Sequence, residues 1–169
     1  MFTPPKSLVE TIGGEERDWV LLTFPTFQSE SEDDYLYLIA MVSGGIADSY
    51  RIQRKNSPEG KFQAFLEDVL SACTEALLNA SGHGNGGARD KKIELCCWFG
   101  TQGVLLAIRD EGKFFTNAQT KELVESRVPF PSTRLTIGGD GMSVIYEADS
   151  VYVSTEENAL YLLFLLNSP

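Results

Sequence analysis

An α+β fold is predicted, a mixed and mostly antiparallel sheet with helices packed on one face. Three observations point to it. Short runs of β-branched and aromatic residues alternate with segments of helical periodicity. One of those helical segments, from Phe62 to Ala80, is strongly two-sided and long enough to cover a sheet. Finally, two pairs of strand-like runs are each separated by only a few turn-forming residues, as in hairpins. A chain of 169 residues, 43% hydrophobic and 22% charged, has the composition of a soluble globular protein with one core.

In chain order, residues 1–17 carry Pro4, Pro5, Gly13, Gly14 and clustered charge, and are read as a flexible N-terminal arm. A single domain then occupies 18–169. Trp19 to Phe24 is rich in strand formers and is stopped by Pro25. Ser31, with Asp34 three residues on, caps a helix carrying Tyr35, Leu38, Ile39, Val42, Ile46 and Tyr50 at helical spacing. Gly44 and Gly45 inside that run each cost about 1 kcal/mol. Asn56 to Gly60 breaks the pattern, and a second helix begins near Phe62. At roughly 100° per residue, Phe62, Leu66, Val69, Leu70, Cys73, Leu77 and Ala80 form its apolar stripe. Ser71, Glu75 and Asn79 fall on the opposite side. Lys92 to Phe99 and Gly103 to Arg109 alternate as strands joined at Gly100-Thr101-Gln102. Gly112 to Gly141 is long, polar and glycine-rich, with a short helix around Ala118 to Ser126; so long a connection is usually functional. A helix from about Met142 to Asp149 leads to strand Val151 to Ser154, a turn at Glu156-Glu157-Asn158 and a last strand Leu160 to Leu166.

Charge excludes some functions. Fourteen basic residues against 24 acidic ones give a net charge of -10, which repels a phosphate backbone and disfavours direct nucleic-acid binding. No apolar run reaches membrane-spanning length, and no signal peptide is legible, so a cytoplasmic location is expected. Cys73, Cys96 and Cys97 are odd in number and lack metal-ligand spacing. Cys73 is expected in the core, and of Cys96 and Cys97 only one is expected to face inward. His83 has no nucleophile or orienting partner in the pattern and reads as a helix-end histidine. Trp19, Trp98, Tyr152 and Phe164 are assigned to packing.

The candidate site lies in three motifs. Thr74-Glu75-Ala76-Leu77-Leu78-Asn79-Ala80, followed by Gly82-His83-Gly84-Asn85, places Glu75 and Asn79 one helical turn apart. Arg109-Asp110-Glu111-Gly112-Lys113-Phe114 follows a strand directly. Gly138-Gly139-Asp140-Gly141-Met142 directly precedes a helix. A nucleoside triphosphate needs oxygen ligands for a divalent cation, bare amides for its phosphates and a polar group for its base. Asn79 offers a carbonyl oxygen, Glu75 a carboxylate able to take a proton from a hydroxyl, and Asp110 an acceptor for an exocyclic amine. Gly112 lets backbone approach a base, and Gly139 and Gly141 can present amides to phosphate at a helix start.

With Ser43-Gly44-Gly45-Ile46-Ala47 inside the first helix, these motifs stand in the order of the GHKL, or histidine-kinase-like, ATPase superfamily, which the chain resembles over nearly its whole length. It is most similar to the anti-sigma-factor serine/threonine kinases. The resemblance implies a two-layer Bergerat fold with a nucleotide lid at about 113–138. It implies ATP and Mg²⁺ as ligands, with Glu75 as catalytic base and Asn79 on the metal. Asp110, Gly112, Gly139, Gly141 and Met142 are then nucleotide contacts. It also implies a sigma factor and an anti-anti-sigma-type antagonist protein as partners, and a homodimer. No phosphoacceptor-histidine helix precedes the motifs, which disfavours a complete histidine kinase. Phe114 where relatives have glycine, Asp140 inside the second glycine box and Ala159-Leu160-Tyr161 in place of a final-strand threonine fit an alternative. In that alternative the chain is a degenerate protein-binding module without phosphotransfer. A detached ATP-binding domain of a histidine phosphotransfer system is a third.

Overall fold

A computed structural model describes residues 2–14, 19–26, 40, 43–45, 59–112, 148–154 and 156–166. Among the described residues five strands form one sheet: β1 (Trp19–Pro25), β2 (Lys92–Phe99), β3 (Gly103–Asp110), β4 (Ser150–Ser154) and β5 (Ala159–Leu165). Their order across the sheet is β1-β2-β3-β5-β4, and all four neighbouring pairs are antiparallel. Pro25, expected to stop the first strand, is instead its last paired residue, opposite Lys92. That is tolerable because β1 lies at an edge, where a missing N–H costs no ladder bond on its outer side. The fold class is the predicted α+β one.

Strand residues alternate strictly between two layers. On one side Ile93, Leu95 and Cys97 of β2, Val104, Leu106 and Ile108 of β3, and Leu160, Leu162 and Phe164 of β5 form a core with helix α2 (Glu59–Asn79). From α2 come Phe62, Phe65, Val69, Ala72, Cys73, Ala76, Leu77 and Ala80, a broader stripe than predicted because the small residues Ala72 and Ala76 also meet the sheet. The other side buries Cys96, Trp98, Leu105, Ala107, Tyr161 and Leu163.

What covers this second face corrects the expectation of a loose arm. Residues Lys6–Thr11 form a helix, α1, entered through Pro5 and left through Ile12 and Gly13, whose φ is 65°. Phe2, Leu8, Val9 and Ile12 are all buried in the second layer. Leu8, Val9 and Ile12 share one face of a single helical turn, so even six helical residues present a continuous apolar surface. The prolines and glycines punctuate the segment without loosening it. Because both faces are covered, Cys96 and Cys97 are both buried, on opposite sides of β2, where only one was expected inside. Trp98 and Phe164 are buried too, as packing residues.

The segment is tied down at its far end as well. Gln102 and Thr101, in the β2–β3 turn, donate their N–H groups to the carbonyls of Ile12 (2.8 Å) and Gly13 (3.3 Å). Of the predicted first helix, the structure describes Ala40 and Ser43–Gly45, which are helical. The rest of that helix, the lid at 113–138 and positions 142–147 of the predicted helix before β4 lie outside the described residues. Ala148 and Asp149, the last two positions of that prediction, are bends.

Candidate functional site

Helix α2 delivers Glu75 and Asn79, both half-buried, to the end of the sheet where β3 finishes. The helix does not stop there as an α-helix. Ala80–Gly84 forms a π-turn, closed by the Asn85 N–H on the Ala80 carbonyl at 2.7 Å. Such a turn accommodates one residue more than an α-turn, and π-turns recur at functional sites. Here it swings the following chain against the ends of three strands.

Asn85 then holds those ends together. Its side chain is buried; Nδ2 donates to Thr26 Oγ1 (2.8 Å) after β1 and to the Lys92 carbonyl (3.0 Å) at the start of β2. Its Oδ1 accepts the Glu111 N–H (2.9 Å) just past β3. The Thr26 hydroxyl passes the connection on to the Lys91 carbonyl at 3.1 Å. Every polar atom of this carboxamide is used, as a buried amide requires.

Asp110 is the last residue of β3, beside the π-turn. Its Oδ1 accepts the Gly112 N–H at 2.7 Å, and its carbonyl accepts from Asn158 Nδ2 at 2.8 Å. A Cβ placed on Gly84 would run into the Asp110 carboxylate, and one on Gly112 into the Gly84 carbonyl. Both glycines are therefore required for the helix end and strand end to meet, a reason for Gly112 additional to access for a base. Burial raises the Asp110 pKa above the usual aspartate value, and the Gly112 N–H, the Asn158 side chain and the Lys91 charge offset part of that rise.

The structure thus joins Asp110 and Gly112 to Gly84 of the π-turn that continues α2, the helix on which Glu75 and Asn79 stand one turn apart. Gly139, Gly141 and Met142 lie outside the described residues. Two asparagines that sequence reading passed over support the site. Asn85 stands in a quoted motif, yet its signal, a polar residue directly after the helix-ending glycines, does not reveal which strand ends it bridges. Asn158 closes a predicted turn in the left-handed region at φ 52°, a conformation asparagine tolerates better than most residues. That preference is legible in sequence; its reach to Asp110 is not.

Glu75 and Asn79 present a half-buried carboxylate and carboxamide one turn apart on α2, and the Asp110 carboxylate at the end of β3 accepts the Gly112 N–H. Among the described residues no three His, Cys, Asp or Glu side chains cluster to hold a metal by themselves. Carboxylate and carboxamide oxygens are the donor type that a hard cation takes, with a ligand's own oxygens completing its shell. Sheet, covering helix and strand-end motif together define an ATPase-type α+β domain. The chain belongs to the histidine kinase-like ATPase domain family, whose model matches residues 45–164. No curated protein matches it. Among the described residues, no helix is long and apolar enough to cross a membrane.

Proposed function

We propose that the chain binds Mg-ATP and acts as an anti-sigma-type serine/threonine protein kinase, phosphorylating a small antagonist protein and binding a sigma factor, as a homodimer. The observation that carries this reading is that α2, with Glu75 and Asn79 half-buried and one turn apart, runs into a π-turn whose Gly84 closes on the buttressed Asp110. Family membership supports the nucleotide; the resemblance in the motifs supports the protein substrate and the partners.

In this reading Asp110 accepts the adenine amino group while the Gly112 N–H holds its carboxyl group and the Asn158 amide holds its backbone carbonyl. Asn79 would hold Mg²⁺ through its side-chain oxygen. A bound Mg²⁺ supplies positive charge to the phosphate oxygens. Glu75 accepts the proton that a substrate serine or threonine hydroxyl loses as its oxygen takes the γ-phosphoryl group, with ADP leaving.

Calorimetry with ATP, with and without Mg²⁺, tests the binding half. Wild type should bind Mg-ATP, and Asn79→Ala should lose the Mg²⁺-dependent part of the affinity. Wild type that ignores ATP would sink the reading. For the catalytic half, Glu75→Gln should retain affinity while phosphotransfer slows by about a hundredfold or more. A mutant with wild-type turnover removes Glu75 from the mechanism. The second reading, a binding module without transfer, draws on Ala159, which is fully buried and places no hydroxyl at the start of β5. ATP binding with no turnover on any antagonist protein is its signature.

A further inference from the structure

The N-terminal segment lies over the face of the sheet opposite α2, yet its tip reaches the site end. Phe2 packs edge-on against Trp98 and Tyr161, with ring centroids 6.3 and 6.4 Å away. The Arg109 guanidinium carbon sits 4.5 Å from the centre of the Phe2 ring. Arg109 is the neighbour of Asp110 in β3 and is itself anchored by Glu94, with Nε 2.7 Å from Oε2. The Thr3 N–H donates to Glu157 Oε1 at 2.5 Å, and the Tyr161 hydroxyl donates to the other oxygen of the same carboxylate. Glu157 is further fixed by its own N–H, which reaches Ser154 Oγ at 3.3 Å. The next residue is Asn158, whose amide holds the Asp110 carbonyl. A continuous chain of contacts therefore joins Thr3 to Asp110 through one turn.

We infer that Asn158 is a positioning residue for the nucleotide site and that the N-terminal segment sets it through Glu157. The inference rests on the nucleotide reading above. When the tip is docked, Glu157 is held from both sides, the β4–β5 turn keeps its left-handed residue in place, and Asp110 presents its carboxyl group in a fixed direction. When the tip is released, the turn loses its Thr3 tether, and the Asn158 amide no longer holds the Asp110 backbone as firmly. A ligand or partner that lifts residues 2–5 would thereby weaken nucleotide binding without touching the site.

The test uses the full chain in two measurements. Asn158→Gly keeps the left-handed backbone and removes the amide, so the fold is preserved, as circular dichroism would verify. Loss of one such hydrogen bond should weaken ATP binding by about five- to tenfold. It should also speed exchange of the Gly112 amide, measured without nucleotide, by a similar factor. Glu157→Ala should weaken ATP binding by about threefold, whereas Glu157→Gln, whose oxygen can still accept the Thr3 N–H while its NH2 donates to the Tyr161 hydroxyl oxygen, should restore most of the affinity. If wild type binds ATP and Asn158→Gly binds it equally well, the inference falls while the nucleotide reading stands. If Glu157→Ala matches wild type, the link to the N-terminal segment falls. If wild type binds no ATP but the Gly112 amide still responds to Asn158→Gly, the nucleotide reading is the part that fails, and the inference fails with it.

Discussion

Asp110 carries opposing demands in one side chain. Burial beside Gly84 penalises its charge, and the reading as an adenine acceptor needs that charge or at least a free oxygen. Its pKa is raised in the folded protein from the ordinary 3.8. Between 3.8 and the folded value the native state binds more protons than the unfolded one, so stability falls as pH rises through that window. Asp110→Asn removes the penalty while its side-chain oxygen still accepts the Gly112 N–H. The variant should be more stable than wild type at pH 7, with the advantage disappearing below about pH 4, where wild-type Asp110 is protonated. Its ATP affinity should fall by about tenfold or more, since an amide nitrogen now competes for the place of an acceptor. Thermal melts across pH, paired with ATP titration, check both; a variant less stable than wild type at neutral pH would contradict the burial argument. The place of Asp110 at a strand end before Gly112 was legible. Its closure under Gly84 was not, because nothing local to either glycine says that residues 84 and 112 touch.

The π-turn is the element on which the site hangs, and it marks the limit of reading by periodicity. Apolar spacing in α2 was followed correctly to Ala80. Beyond it the hydrogen bond from Asn85 to Ala80 admits an extra residue, and a fixed angle per residue cannot register that. The consequence is that Asn85, which the α-helical wheel leaves unassigned, becomes the joint of β1, β2 and β3. Asn85→Ala would strand the Glu111 N–H and the Lys92 carbonyl away from any replacement partner, and should cost about 2–4 kcal/mol. Urea unfolding should show the midpoint lowered at an unchanged slope. A loss below about 0.5 kcal/mol would mean that water fills the gap and that the joint is not structural. By contrast, β2 and β3 appear within one residue of their predicted limits, because alternation and the Gly100-Thr101-Gln102 turn are local signals.

At the scale of the molecule, one sheet is buried on both faces by two unequal covers, α2 and the N-terminal segment. The second cover was missed since its four buried side chains are spread among prolines and glycines and are apolar only in aggregate. The three cysteines report on both layers: Cys73 and Cys97 sit under α2, and Cys96 under the N-terminal segment. Burial pushes the Cys73 and Cys96 thiols up to about 12 and Cys97 well above its ordinary value. Thiolate is the reactive form, so all three should resist a disulfide reagent at pH 8 while the protein is folded and react once urea unfolds it. Prompt modification of Cys96 alone would show that the N-terminal cover opens independently of the core.

That cover also has a history in time. Thr3 and its acceptor Glu157 are 154 positions apart, and a chain is made from its N-terminus at about 5–20 residues per second. Phe2, Leu8, Val9 and Ile12 are thus made well before the strands they pack on. They wait on the order of 8–30 s for Tyr161 and the rest of β5 to be synthesised. The segment consequently cannot dock until β5 has been made, and the second face of the sheet closes only after that strand has been translated.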